Sequence, residues 1–164
     1  SIQFRVLVID ETGKHALLLG SGIFRIAGDD PDDQDRRSLV SVLARDLGPL
    51  PWKVDFDEES RPTLCINRNI PNPIEKMRSD PTFQALVLPA AMRDILRRVM
   101  FSDEVDQDSE VYRRWLAFVL TLTDQKPDDR DESERQSWID DVVYEFCDRF
   151  DLVDRLSNVF RDDD

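Results

Sequence analysis

The chain has 164 residues, of which 35 are acidic and 22 are basic, so its net charge at pH 7 is −13. This charge disfavours direct binding to nucleic acid, because attraction to phosphate supplies most of the non-specific affinity. The hydrophobic fraction of 40% is typical of a folded domain, and no apolar run approaches the ~20 residues that cross a bilayer. The first residues also lack the layout of a signal peptide. We therefore expect a cytoplasmic protein that binds neither membrane nor nucleic acid.

Residues 1–27 predict strands. Apolar side chains alternate with others from Ile2 to Val8, which is typical of a half-buried strand. Residues 10–14 supply turn chemistry, and the segments 16–19 and 23–26 predict further strands on either side of a glycine-rich bulge, bend or turn. An antiparallel arrangement is the simplest account of this pattern.

An acidic loop at 28–35 leads into a predicted helix that ends at Gly48. Five side chains form the apolar face of this helix: Leu39, Val40, Val42, Leu43 and Leu47. Two partner strands follow, at 52–56 and 64–66. Residues 1–72 are thus predicted to form an antiparallel sheet of about four or five strands with one packed helix.

The pattern becomes helical after residue 72. A short helix is predicted near 74–77. Asp80 followed by Pro81 is typical of a helix start, since aspartate caps the first turn and proline suits the first helical position. Pro89 is expected to kink or restart the helix that begins there.

Apolar residues at helical spacing predict another helix over 111–122 and an amphipathic segment over 138–160, which a break near 148–152 would split in two. Residues 73–164 therefore predict a helical subdomain of about three or four helices. Together with residues 1–72 they indicate an α+β fold that forms one compact unit.

Asp10 is the candidate for metal binding or catalysis. The apolar run that precedes it ends in this carboxylate, as in phosphotransferase and nuclease folds that hold Mg²⁺ at a strand tip. Those folds need further acidic residues or a glycine-rich phosphate loop, and here the next segment predicts a returning hairpin strand. A hairpin turn is therefore the alternative role for the residues that follow Asp10.

Other catalytic and cofactor signatures are missing from the sequence. The one histidine, His15, and two cysteines without paired spacing predict no zinc site and no histidine-dependent triad. EF-hand calcium loops need a glycine at the turn, and the acidic stretches that begin at Asp30, Glu104 and Asp129 place another residue there. We expect no cofactor.

The aromatic side chains of the helical half favour a protein-interaction role. Most large apolar residues at helical spacing belong to a core, but aromatic and arginine side chains also concentrate in interfaces. The candidate interaction residues are Trp115, Trp138, Tyr144, Phe150, Arg113 and Arg114.

The leading hypothesis is a non-catalytic interaction or assembly module that uses the C-terminal amphipathic helices to bind a protein partner or a second copy. A Mg-dependent hydrolase or nuclease that uses Asp10 with other carboxylates is one alternative. A second is an acidic DNA mimic that inhibits a nucleic-acid-binding protein. A third is a small-ligand sensor whose pocket lies between sheet and helices.

Overall fold

The computed structural model describes the backbone of Val6–Asp10 and Leu17–Gly22, and residues 39–127 and 131–161 with their side chains. These ranges contain five strands: β1 (Val6–Asp10), β2 (Leu17–Gly22), β3 (Ser41–Arg45), β4 (Trp52–Phe56) and β5 (Pro62–Asn67). They also contain five helices: α1 (Pro73–Ser79), α2 (Pro81–Phe101), α3 (Glu110–Val119), α4 (Glu132–Arg149) and α5 (Leu152–Arg161). The predicted α+β class is confirmed.

Strands β1 and β2 form an antiparallel pair, as predicted. Val6 lies opposite Gly22 and Asp10 opposite Leu17, with a register shift between Val8 and Ile9. Residues 11–14 of the expected turn and the expected strand at 23–26 lie outside the described residues.

The larger sheet has three strands in the order β3-β5-β4. Strand β5 pairs in parallel with β3 and antiparallel with β4. Its central position buries residues on both of its faces, including Leu64, Cys65 and Ile66. The prediction of one antiparallel sheet of four or five strands is therefore wrong: this sheet is mixed, and β1 and β2 pair with each other in a sheet of two strands.

The predicted helix that ends at Gly48 is also wrong, because residues 41–45 form strand β3. Val40 and Val42 are 6% and 3% exposed, whereas Leu43 is 38% exposed. This alternation has a period of two residues, and β-branched valine favours strands. Hydrogen bonding to β5 stabilises the extended conformation, and Val42 lies opposite Leu64 in this pairing. A partner 22 positions away in the sequence leaves no local signal.

Helix α2 is the central helix, with contacts to the other four helices and to β4. It begins as predicted, since the Asp80 carboxylate accepts a hydrogen bond from the Phe83 backbone N–H at 3.1 Å. Pro89 lies inside α2, which continues through it. The predicted break in the last segment is confirmed, because Asp151 has a positive φ of 52° and separates α4 from α5.

One hydrophobic core joins the sheet to the helices. It contains Val42, Leu64 and Ile66 from the strands together with Leu96 and Trp138 from the helices. The core therefore draws on both sides of position 72, where we expect the boundary between the two subdomains. No helix among the described residues has the length and hydropathy that crossing a membrane would require.

Candidate functional site

The two tryptophans of the predicted interaction set lie inside the chain. Trp138 is 1% exposed, and its indole N–H donates to the Gln125 carbonyl at 3.1 Å. Its ring meets Phe101 edge to face, with 5.4 Å between centroids. Trp115 is 2% exposed and packs edge to face on Phe118. Both indoles therefore contribute to the core.

The other four predicted residues are spread over several places. Phe150 is partly buried against Phe146, with ring centroids 4.8 Å apart. Arg113 is exposed on α3, and its neighbour Arg114 is partly buried at a small polar recess. Tyr144 is 69% exposed on α4. Of the six, the structure brings Trp115 and Phe150 together, because both line one cavity.

Helix α5 carries apolar side chains that the described part of the chain leaves exposed. Leu152 is buried, but Val153 is 70% exposed and Phe160 is 62% exposed. A spacing of seven residues places these two only about 20° apart around the helix axis, and the partly buried Leu156 lies between them. We call Val153, Leu156 and Phe160 the α5 stripe.

The sequence predicted an amphipathic helix here without singling out this stripe. The sequence does contain a signal for the stripe. The apolar side chains of α5 cover a wider part of the helix surface than contact with a single neighbouring element requires: Leu152, Val153, Leu156, Val159 and Phe160. The sequence pattern does not show how wide the surface is against which α5 packs. That width is a property of the folded chain.

Helices α4 and α5, the second of which carries the stripe, are acidic in composition. Residues 131–161 contain nine acidic and four basic side chains. One of the acids, Asp140, accepts hydrogen bonds from Arg93 Nε at 2.9 Å and from Gln136 Nε2 at 3.2 Å. The bond from Arg93 and then that from Gln136 hold the pKa of Asp140 below its usual value. This contact ties α4 to α2 at the surface.

A cavity of about 310 Å³ lies between the larger sheet and the helices. Its wall is mainly apolar and includes Val42, Leu64, Ala91, Trp115 and Phe150. Among the residues that the structure describes, three polar side chains also line it: Arg78, Gln84 and Arg155. Arg155 is an exposed residue, so the cavity borders solvent at this edge.

Gln84 organises the polar edge of the cavity. This side chain is 8% exposed, and its Nε2 donates to the carbonyls of Met77 and Arg78 at 2.9 and 2.8 Å. Its Oε1 accepts a hydrogen bond from Arg155 Nη2 at 2.5 Å. The amide thus joins the last turn of α1 to α5 and holds the Arg155 guanidinium at the edge of the cavity.

No protein-family model matches this chain, and neither a curated protein nor a solved structure shows significant similarity to it.

Asp10 is the last residue of β1 and pairs with Leu17. Its side chain lies outside the part of the structure that is described, as does His15. Among the side chains that are described, no three histidine, cysteine or acidic groups are arranged to hold a metal ion. A Mg²⁺ site at Asp10 stays a prediction.

The two cysteines are free thiols. Burial is the main cause that raises the pKa of each thiol above its usual value. The Cys65 thiol also lies 3.5 Å from an Asp55 carboxylate oxygen, which disfavours the thiolate further. Because the thiolate is the nucleophile, both cysteines are held in their less reactive form at neutral pH.

Proposed function

We propose that this protein is a non-catalytic interaction module that binds a partner protein through the α5 stripe. The observation that carries the proposal is the exposure of Val153 and Phe160 on the same face of one helix, about two turns apart. An isolated exposed apolar residue is ordinary on a protein surface, but a row of them along a helix is typical of a face that another chain covers.

The partner we propose is a different protein with an apolar groove and a basic rim. Two copies of a chain with a net charge of −13 repel each other at long range, and a basic partner is attracted. The acidic residues of α4 and α5 would speed its encounter, while the α5 stripe would supply the lasting contact. Charge therefore governs the association rate, and apolar burial governs the lifetime of the complex.

A photocrosslinker at position 160 tests this proposal. In native cells, Phe160→benzoylphenylalanine is expected to form an adduct with one protein that mass spectrometry identifies as a different chain. Tyr144→benzoylphenylalanine is the matched control, because Tyr144 is as exposed as Phe160 but lies outside the stripe. Adducts of the same protein from both positions would contradict a site on α5.

Binding of the purified partner then separates the alternatives. The double variant Val153→Ser/Phe160→Ser is expected to lose binding while keeping the wild-type circular dichroism spectrum. Raising the salt concentration to ~1 M, where charges are screened beyond about 3 Å, is expected to slow association and leave the complex intact.

A complex that dissociates at high salt, and that the double variant forms as well as the wild type does, would favour the DNA-mimic hypothesis instead. A dimer of this chain that persists at both salt concentrations, measured by light scattering, would replace the partner with a second copy. Loss of a divalent-dependent activity in a folded Asp10→Ala variant would favour the hydrolase hypothesis.

A further inference from the structure

We propose that the cavity between the sheet and the helices binds a small amphipathic organic acid, with its apolar chain inside and its carboxylate at Arg155. This site differs from the α5 stripe. Arg155 lies on the opposite flank of α5 from Val153 and Phe160. It follows Val153 by two positions, which corresponds to a rotation of about 200° around the helix axis. The tests of the ligand proposal are therefore independent of the tests of the protein partner.

The body of the cavity fits an apolar group. Of the 17 described residues that line it, 14 are apolar, and they come from both the larger sheet and the helices. Protein interiors are normally packed with few voids larger than a water molecule. A space of about 310 Å³ is at the lower end of the ~300–1,000 Å³ found for small-molecule sites. A short or medium alkyl chain or a compact ring system has the matching size and polarity.

The polar edge fits an anion. Among the described residues no Asp or Glu lines the cavity, although more than a fifth of the chain is acidic, whereas two arginines do. Within the described ranges, the hydrogen-bond partner of the Arg155 guanidinium is the neutral amide oxygen of Gln84. A guanidinium has five N–H donors in a planar fork, so one bond to Gln84 leaves donors for a carboxylate.

Decanoate, decanol and decyltrimethylammonium form a probe series with one alkyl chain and three head-group charges. By isothermal titration calorimetry, decanoate is expected to bind the intact protein about tenfold more tightly than decanol, because of its charge-assisted hydrogen bonds. The cation is expected to bind most weakly. Equal affinities for the three probes, or no binding of decanoate, would overturn the proposal.

Two arginine variants test the head-group contact. Arg155→Gln is expected to remove the tenfold preference for decanoate and leave the affinity for decanol unchanged. Arg161→Gln is the matched control on the same helix, because Arg161 is exposed and lies outside the cavity. An unchanged preference in Arg155→Gln would refute the assigned role of this residue.

The location inside the cavity is tested by filling it. Ala91, which is 3% exposed, lines the cavity from the middle of α2. Ala91→Phe is expected to weaken decanoate and decanol alike by tenfold or more. Leu88→Phe serves the same purpose if Ala91→Phe fails to fold. Wild-type affinity in a folded filling variant would place the binding elsewhere and overturn the proposal.

Trp115 provides a spectroscopic readout of the same location. It lines the cavity, whereas Trp52 and Trp138 do not. Decanoate with a terminal bromine is expected to quench the protein fluorescence in the wild type. The quenching should largely disappear in Trp115→Phe although calorimetry still detects binding; undiminished quenching in this variant would exclude the cavity.

Discussion

Helices α4 and α5 follow each other in the chain, and both are amphipathic, yet the described part of the molecule covers them to different extents. α4 buries five apolar side chains: Trp138, Ile139, Val142, Val143 and Phe146. α5 buries Leu152, and leaves Val153 and Phe160 largely exposed.

The contrast separates two meanings of an amphipathic pattern. On α4 the apolar face meets α2 and the core, so its side chains stabilise the fold. On α5 part of the apolar sector faces outward, so it adds little to the stability of this chain and remains available to another one. Helical periodicity predicts that a face will be covered and does not specify by which molecule.

The largest effect is expected from Trp138→Ala on the covered face of α4. The substitution removes a buried indole, its contact with Phe101 and its hydrogen bond to Gln125. We expect the free energy of unfolding to fall by about 3–5 kcal/mol, as is usual for aromatic-to-alanine changes in a core. Urea denaturation followed by tryptophan-independent circular dichroism measures it. A loss under about 1 kcal/mol would contradict the packing of α4.

Gln84→Ala is expected to have an intermediate effect, because Gln84 ties α1 to α5 through buried hydrogen bonds. Removing its amide leaves the Met77 and Arg78 carbonyls without this donor and releases Arg155. We expect a loss of about 1–3 kcal/mol in urea denaturation. Gln107→Ala, at an exposed loop position, is the control and should change stability by less than about 0.5 kcal/mol.

A smaller, pH-dependent effect is expected at Asp140, which links α4 to α2. The hydrogen bond from Arg93 and then that from Gln136 lower its pKa in the folded state. The stability that the ionised Asp140 contributes is therefore fully present above its unfolded-state pKa of about 3.9. It is lost as the pH falls through the lower pKa of the folded state. Because the carboxylate is half exposed, we expect only about 0.2–1 kcal/mol at pH 7, reduced further by salt.

Asp140→Asn should remove this contribution, so the two proteins differ at pH 7 and converge in acid. Denaturation series between pH 2 and pH 7 provide the comparison. Asp141→Asn is the neighbouring exposed control. A stability difference that stays constant down to low pH would show that the ionised carboxylate is not its source.

The smallest effect on stability is expected from Val153→Ser and Phe160→Ser on the uncovered face of α5. Each should change the free energy of unfolding by about 0.5 kcal/mol or less, because most of either side chain already contacts water. The same denaturation assay as for Trp138→Ala measures it. A loss above about 1 kcal/mol would mean that the stripe packs within this chain, and the contrast with α4 would disappear.

Features with local causes were predictable from the sequence. Asp80 and Pro81 begin α2 because capping and the fixed φ of proline act within one turn. Strands β4 and β5 were found because a short polar turn joins them. The break before α5 was also visible, since Asp151 ends one helical pattern and tolerates a positive φ.

Features that depend on residues far apart in the sequence could not be predicted from it. Leu39, Val42 and Leu43 have a helical spacing, but residues 41–45 pair with β5 and form a strand instead. The cavity combines residues as far apart in sequence as Leu39 and Arg155, so no window of the sequence contains it. The candidate residues Trp115 and Trp138 were selected for their type, but burial depends on what packs around them.

Residue chemistry alone was thus sufficient for the class of the fold, the helical half and several of its boundaries, because capping, turns and periodicity act over a few residues. The mixed sheet, the cavity and the uncovered stripe on α5 were set only when distant elements packed together. Burial and strand pairing are properties of pairs of surfaces, and the sequence shows one surface at a time.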